Sequence, residues 1–255
     1  MTLDLSLMAL LGVAAFAAGV LNAIAGGGSF LTFPALVFAG VPPIVANATS
    51  AVAVSPGYLG STLGFRNELR QLPSRRLQQE TLIAASGGVL GALLLLVTPA
   101  HVFNGLVPWL LLFATALFVA GPWLAGRHPA HDGGHHPWVR WRPAGLMAVA
   151  IYGGYFNGGL GILLMALYTV TGERQLHMTN ALKNLNSLVL SLLSVATFAL
   201  AGAIAWGPAL LMMAAATAGG FVGAHGSKKL PVGVVRAVVI VTGLAMSAVF
   251  FARTA

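Results

Sequence analysis

Gly26-Gly27-Gly28-Ser29-Phe30-Leu31-Thr32-Phe33-Pro34 lies inside a run, from Leu5 to Phe65, that holds no Asp, Glu, Lys, Arg or His. A run so apolar belongs in lipid, and there a glycine triplet breaks the helix. The break frees backbone N–H and C=O groups that lipid cannot satisfy. It is tolerated only where protein or a water-filled cavity covers it. In transporters, interrupted helices of this kind line the substrate site.

The break recurs. A shift of 133 residues lays Gly26 on Gly159, Gly28 on Gly161, Asn47 on Asn180 and Ala48 on Ala181. In both copies 19 positions separate the last glycine from the asparagine. A period this long is no solenoid repeat. It reads as duplication of half a membrane domain.

Composition points the same way. The 255 residues are 58% apolar and 7% charged, with a mean hydropathy of +0.88, whereas a soluble domain carries roughly 25% charged residues. The absence of cysteine excludes disulfide scaffolds, thiolate metal sites and thiol nucleophiles. The opening Met1-Thr2-Leu3-Asp4 lacks the positive stretch of a cleaved leader, so the first apolar run is expected to be retained. The net charge of +8 would suit nucleic acid, but no aromatic–basic motif accompanies it. The basic residues sit in short loops between apolar runs, which fits orientation of a membrane protein by cytoplasmic Lys and Arg.

A bilayer core of roughly 30 Å takes about 20 residues of apolar helix. Residues 44–65, two stretches within 81–126 parted by Thr98-Pro99-Ala100-His101, and residues 178–200, 207–225 and 234–252 meet that length. Segments 5–40 and 144–171 contain the glycine breaks and decide the topology. If 144–171 crossed once, Lys228, Lys229 and Arg236 would land outside. If it dips in and returns, Arg66, Arg70, Arg75, Arg76, Arg127, Arg140, Arg142, Arg174, Lys228, Lys229 and Arg236 all face the cytoplasm, leaving only Lys183 and Arg253. Its 28 residues give about 42 Å of helix, too short for two crossings. A re-entrant pair meeting at Gly158-Gly159-Leu160-Gly161 is therefore predicted. The same reading makes 5–40 a longer helix, a break at Gly26–Gly28, and a half-helix from Ser29 to about Gly40.

The expected fold is an all-α integral membrane protein of two inverted repeats, 1–126 and 144–255. A cytoplasmic His-rich linker, 127–143, joins them. It would hold about eight full transmembrane helices or fewer. Two re-entrant pairs would place their glycine-rich breaks near the midplane.

The breaks imply chemistry. A half-helix from Ser29 aims unpaired N–H groups and the positive end of its dipole at the membrane centre, and one from near Ile162 does so from the other side. Two such tips in a low-dielectric cavity make an anion site. Gly26, Gly27, Gly28, Gly159 and Gly161 let a ligand approach the backbone, and Ser29 is placed to cap its helix and offer a hydroxyl. Asn47, Thr49 and Ser50 follow the first break. Asn180, Lys183, Asn184 and Ser187 follow the second, on one helical face suited to an anionic ligand rich in oxygen. The five acids, Asp4, Glu68, Glu80, Asp132 and Glu173, are all expected in loops or at span ends, leaving no buried carboxylate for proton or Na⁺ coupling.

The run 26–34, followed by Asn47-Ala48-Thr49-Ser50 and then a basic loop, resembles the TauE/SafE family of membrane permeases. The resemblance extends over essentially the whole chain. It implies two duplicated modules and movement of sulfite, small organosulfonates or related anions. The second half departs, with Leu160 and Leu167 where the first has Gly27 and Pro34. The expected activity is that of a secondary transporter or facilitator, working by alternating access around two half-helix N-termini. A negative interior favours an anion's exit by about 2.3 kcal/mol per charge per 100 mV. An enzyme is not expected: there is no His-Glu-Xaa-Xaa-His, no paired membrane aspartates and no Gly-Xaa-Ser-Xaa-Gly.

Residues His128, His131, Asp132, His135 and His136 raise a second reading, a divalent metal-ion transporter with a His-rich cytoplasmic loop. The anion reading calls for no cofactor and no metal in the binding set. Its partners are a small anion and the lipid of a bacterial inner membrane, not nucleic acid, and a homodimer is compatible with it.

Overall fold

A computed structural model describes residues 4–24, 27–126, 138–173, 175–226 and 232–254. Among them every regular element is a helix: α1 (Leu5–Ile24), α2 (Ser29–Phe38), α3 (Pro43–Gly64), α4 (Arg66–Leu69), α5 (Ser74–Val97), α6 (Ala100–Gly126), α7 (Arg142–Tyr155), α8 (Leu160–Val170), α9 (Leu176–Leu200), α10 (Trp206–Gly226) and α11 (Val232–Thr254), with one 3₁₀ turn at Val139–Trp141. Five of these, α1, α5, α6, α9 and α10, are long and apolar enough to cross a bilayer. α3 has 22 residues, but Asn47, Thr49, Ser50, Ser55, Ser61 and Thr62 lower its hydropathy. α5 begins two turns ahead of the apolar run that announced it, so Arg75, Arg76 and Glu80 ride on a helix and not in a loop.

The helix ends sort into two groups. Phe65 meets His177, and Arg76 meets Glu173, so α4 and the starts of α5 and α9 share what we term the basic end. Thr49 meets Ala205, and Gly40, Pro42, Asn104 and Phe250 surround one cavity, so the starts of α3, α6 and α10 share the opposite end.

In lipid, helices gain little from hydrophobic burial against one another and depend on close packing, which small residues permit. Two seams show this. Gly219 of α10 lies against the Phe16 backbone of α1, and Gly154 of α7 lies against Gly88 of α5. A Cβ at either glycine would overlap its neighbour's main chain. α3 crosses α9 where the Ser55 and Ser191 hydroxyls bond at 2.9 Å, and α6 meets α11 where Thr115 abuts Gly243. The main core gathers Phe30, Phe33, Phe103, Leu111, Phe156 and Phe198 around these crossings. A smaller cluster of Leu146, Leu160, Leu164, Tyr168 and Leu182 packs in the second half.

Candidate functional site

Both predicted interruptions fall between helices. α1 ends at Ile24 and α2 starts at Ser29; α7 ends at Tyr155 and α8 starts at Leu160. Gly26 lies outside the described residues. Gly27, Gly28 and Ser29 are buried, as is the whole of 156–162. Ser29 does not cap α2 as expected: it is the first helical residue, the capping position is Gly28, and no side-chain cap bond forms. The turn closes on itself instead, with Phe30 N–H donating to the Gly27 carbonyl at 3.1 Å and Leu31 N–H to the Gly28 carbonyl at 3.0 Å. α8 begins at Leu160, two residues before the expected Ile162. Gly159 holds φ of 76°, a left-handed conformation that ends one chain direction and starts the next. Among the described residues, no acceptor takes the N–H of Gly28, Ser29, Gly159 or Gly161.

The polar residues divide into two groups. Those after the first break are engaged. Asn47 Nδ2 donates to the Tyr155 carbonyl at 3.0 Å, which ties α3 to the second break. Thr49 Oγ1 accepts the Ala205 N–H at 3.1 Å. Ser50 Oγ shares a 2.6 Å bond with Thr32 Oγ1 of α2. Those after the second break are not. Asn184 and Ser187 are buried, Asn180 and Lys183 half-buried, and the Ser187 hydroxyl has no partner. No carboxylate among the described residues pairs with Lys183. The predicted set thus joins Gly27–Ser29 to Ser50 through Thr32, and Asn47 to the second break, while the α9 face keeps its hydrogen-bonding capacity.

Several residues escaped the sequence reading. Asn157, inside the second break, is 4% exposed and its Oδ1 lacks a partner. The Tyr152 hydroxyl donates to the Gly158 carbonyl at 2.8 Å and steadies that break. Asn22 reaches the first break, its Cβ 3.3 Å from where a Gly28 Cβ would sit.

The acids also require a correction. Glu80 lies near the start of α5, a span end, but it is buried there, 6% exposed, where no buried carboxylate is expected. Arg76 Nε bonds its Oε1 at 3.0 Å, Tyr168 donates to its Oε2 at 2.8 Å, and Asn186 Nδ2 donates to the Tyr168 hydroxyl at 2.7 Å. Arg76 also reaches Glu173 at 2.8 Å, and Arg142 lies 3.7 Å from Glu80 and bonds the Thr171 carbonyl at 2.8 Å. Two arginines and two glutamates so fasten the start of α5 to both basic ends of the α7–α8 hairpin. The i, i+4 spacing of Arg76 and Glu80 was the available signal; the other partners are distant in sequence.

Comparison with known proteins settles the family. A family model described as "Sulfite exporter TauE/SafE" matches residues 11–250. The chain belongs to the TauE/SafE family. Among its relatives is "Probable membrane transporter protein ORF9" of Sinorhizobium sp, 29% identical over 94% of this chain and 91% of the relative. A "Probable membrane transporter protein" of Haemophilus influenzae is 28% identical over 97% and 96%. "Probable membrane transporter protein YfcA" of Escherichia coli is 27% identical over 95% and 88%. No solved structure matches. With its apolar helices, this TauE/SafE chain is an integral membrane protein and a membrane transporter. The family name mentions sulfite, whereas the relatives are named without a substrate. The histidine loop, 128–136, lies outside the described residues, and no group of three or more metal-ligating side chains occurs among the described ones.

Proposed function

We propose that this TauE/SafE protein carries a small anion, such as sulfite, a sulfonate or a related organic anion, by alternating access about the tips of α2 and α8. The observation that carries the proposal is that both tips are buried although both helices are short, ten and eleven residues. A helix start buried in a membrane bundle brings about half a positive charge with it. Among the described residues no acceptor takes the N–H of Gly28, Ser29, Gly159 or Gly161, which leaves these donors to an oxygen-rich ligand. Gly27 adjoins the first tip, and Gly26, expected beside it, lies outside the described residues. Asn180, Lys183, Asn184 and Ser187 supply further donors from α9. Asn47, Thr49 and Ser50 hold the frame, and Asn47 and Ser50 are free to exchange their internal bonds for the ligand. The set is electropositive and includes no metal.

The architecture supports alternation. We take 1–126 and 144–255 as inverted repeats joined by 127–143. In this pairing the α1–α10 seam corresponds to the α7–α5 seam, and the α2–α3 contact to the α8–α9 contact. The basic end then faces the cytoplasm of a bacterial inner membrane. No covalent step belongs to this reading, and Glu80, clamped between arginines, is a fastening and not a coupling site. The anion's own gradient and the membrane potential supply the drive. Purified protein in liposomes tests it: saturable uptake of sulfite or a short sulfonate, reduced by Asn180→Ala and Ser187→Ala, is expected. Absence of flux for any small anion, or divalent metal flux abolished by deleting 128–136, overturns it.

A further inference from the structure

Two cavities lie near the two ends of α2: α1, α3 and α10 line the first, and Val37 of α2 helps to line the second. Beside the N-terminus of α2, in the basic half of the bundle, lies a cavity of about 380 Å³ lined by Asn22, Gly57, Gly60, Ser61 and Thr217 among others. It adjoins the first break, where Asn22 and the Ala18 carbonyl bracket Gly28. Beside its C-terminus, at the opposite end, lies a cavity of about 300 Å³ lined by Gly40, Pro42, Asn104 and Phe250 among others. Asn104 keeps a buried Oδ1 without a hydrogen-bond partner there.

Along α2, Phe33 falls between Gly28, which adjoins the first cavity through Ala18 and Asn22, and Val37, which lines the second. It lies midway along α2, 1% exposed, with its ring edge-on to Phe156 at 5.6 Å and stacked on Phe250 at 6.0 Å. Phe156 opens the second break, and Phe250 belongs to the lining of the far cavity. Pro34 follows at once and removes the N–H that would bond the Phe30 carbonyl, so the helix is weakest beside this ring. We propose that the translocation route follows α2 from one cavity to the other and that Phe33 is the residue that closes it. The proposal rests on the carrier reading above and adds to it the course of the path and its barrier. A ring held by two others blocks a pore until the helix that bears it shifts, and Pro34 marks where α2 yields.

The cysteine-free chain makes the test direct. Asn22→Cys and Asn104→Cys are introduced singly and treated in oriented vesicles with a small, charged, membrane-impermeant thiol reagent. Cysteine at 22 is expected to react only from the basic side, and cysteine at 104 only from the other. Adding Phe33→Ala is expected to let the reagent reach 104 from the basic side, with labelling there rising about tenfold or more on loss of two ring contacts. Labelling that stays one-sided with Phe33→Ala overturns the proposal, as does two-sided labelling of 104 with Phe33 in place. Should Phe33→Ala not reach the membrane, Phe250→Ala opens the same stack from the far cavity. Phe65→Ala, whose ring meets His177 at the basic end and lines neither cavity, is expected to change nothing. The readout needs no substrate, so a wrong anion would leave it standing.

Discussion

Gly159 resists exchange because of its backbone conformation. Its φ of 76° is left-handed, and an added Cβ would meet that of Ala114 at 3.0 Å. Gly159→Ala is expected to lower stability by roughly 1–2 kcal/mol from backbone strain alone, readable as a lower melting temperature in detergent. Asn47 offers a different lesson. Its amide serves the Tyr155 carbonyl, so Asn47→Ala leaves a part-buried acceptor without its donor and should cost about 1–3 kcal/mol. Asn180→Ala, at the position related by the 133-residue shift, removes a side chain with no described partner. It should reduce transport with little change in melting temperature. If both variants lose stability equally, Asn180 is structural. Residue identity alone did not separate these two asparagines: they share spacing and neighbours in sequence, and differ only in what the fold brings opposite them.

At the scale of elements, nearly all helix bounds were legible, because polar loops interrupt apolar runs sharply. Helix starts were less so. α5 extends into polar sequence because Arg76 and Glu80 are neighbours on one helical face and find Glu173 and Arg142 across the bundle. Hydropathy treats each of those charges as a surface group, whereas pairing lets them be buried. Glu80→Gln is expected to leave Arg76 and Arg142 facing each other with Glu173 alone, at roughly 3 kcal/mol. Tyr168→Phe, which removes the hydroxyl between Glu80 and Asn186, should cost less, about 1–3 kcal/mol. Thermal unfolding of both variants checks the order; a larger loss for Tyr168→Phe would show that the charges contribute little.

For the whole molecule, the two ends are the testable feature. Arg70 is exposed at the basic end and Leu200 is 92% exposed at the other. Arg70→Cys should be labelled only from the cytoplasm and Leu200→Cys only from outside; the reverse pattern inverts the topology. The clamp of Arg76, Glu80, Arg142 and Glu173 also bears on biosynthesis. The ribosome delivers Arg76 and Glu80 well before the hairpin that completes their pairing has been made. A fragment ending at residue 126 would hold only half of the clamp, so it is expected to be degraded when produced alone and rescued when residues 127–255 are co-produced. The halves of a duplicated chain need not be separable.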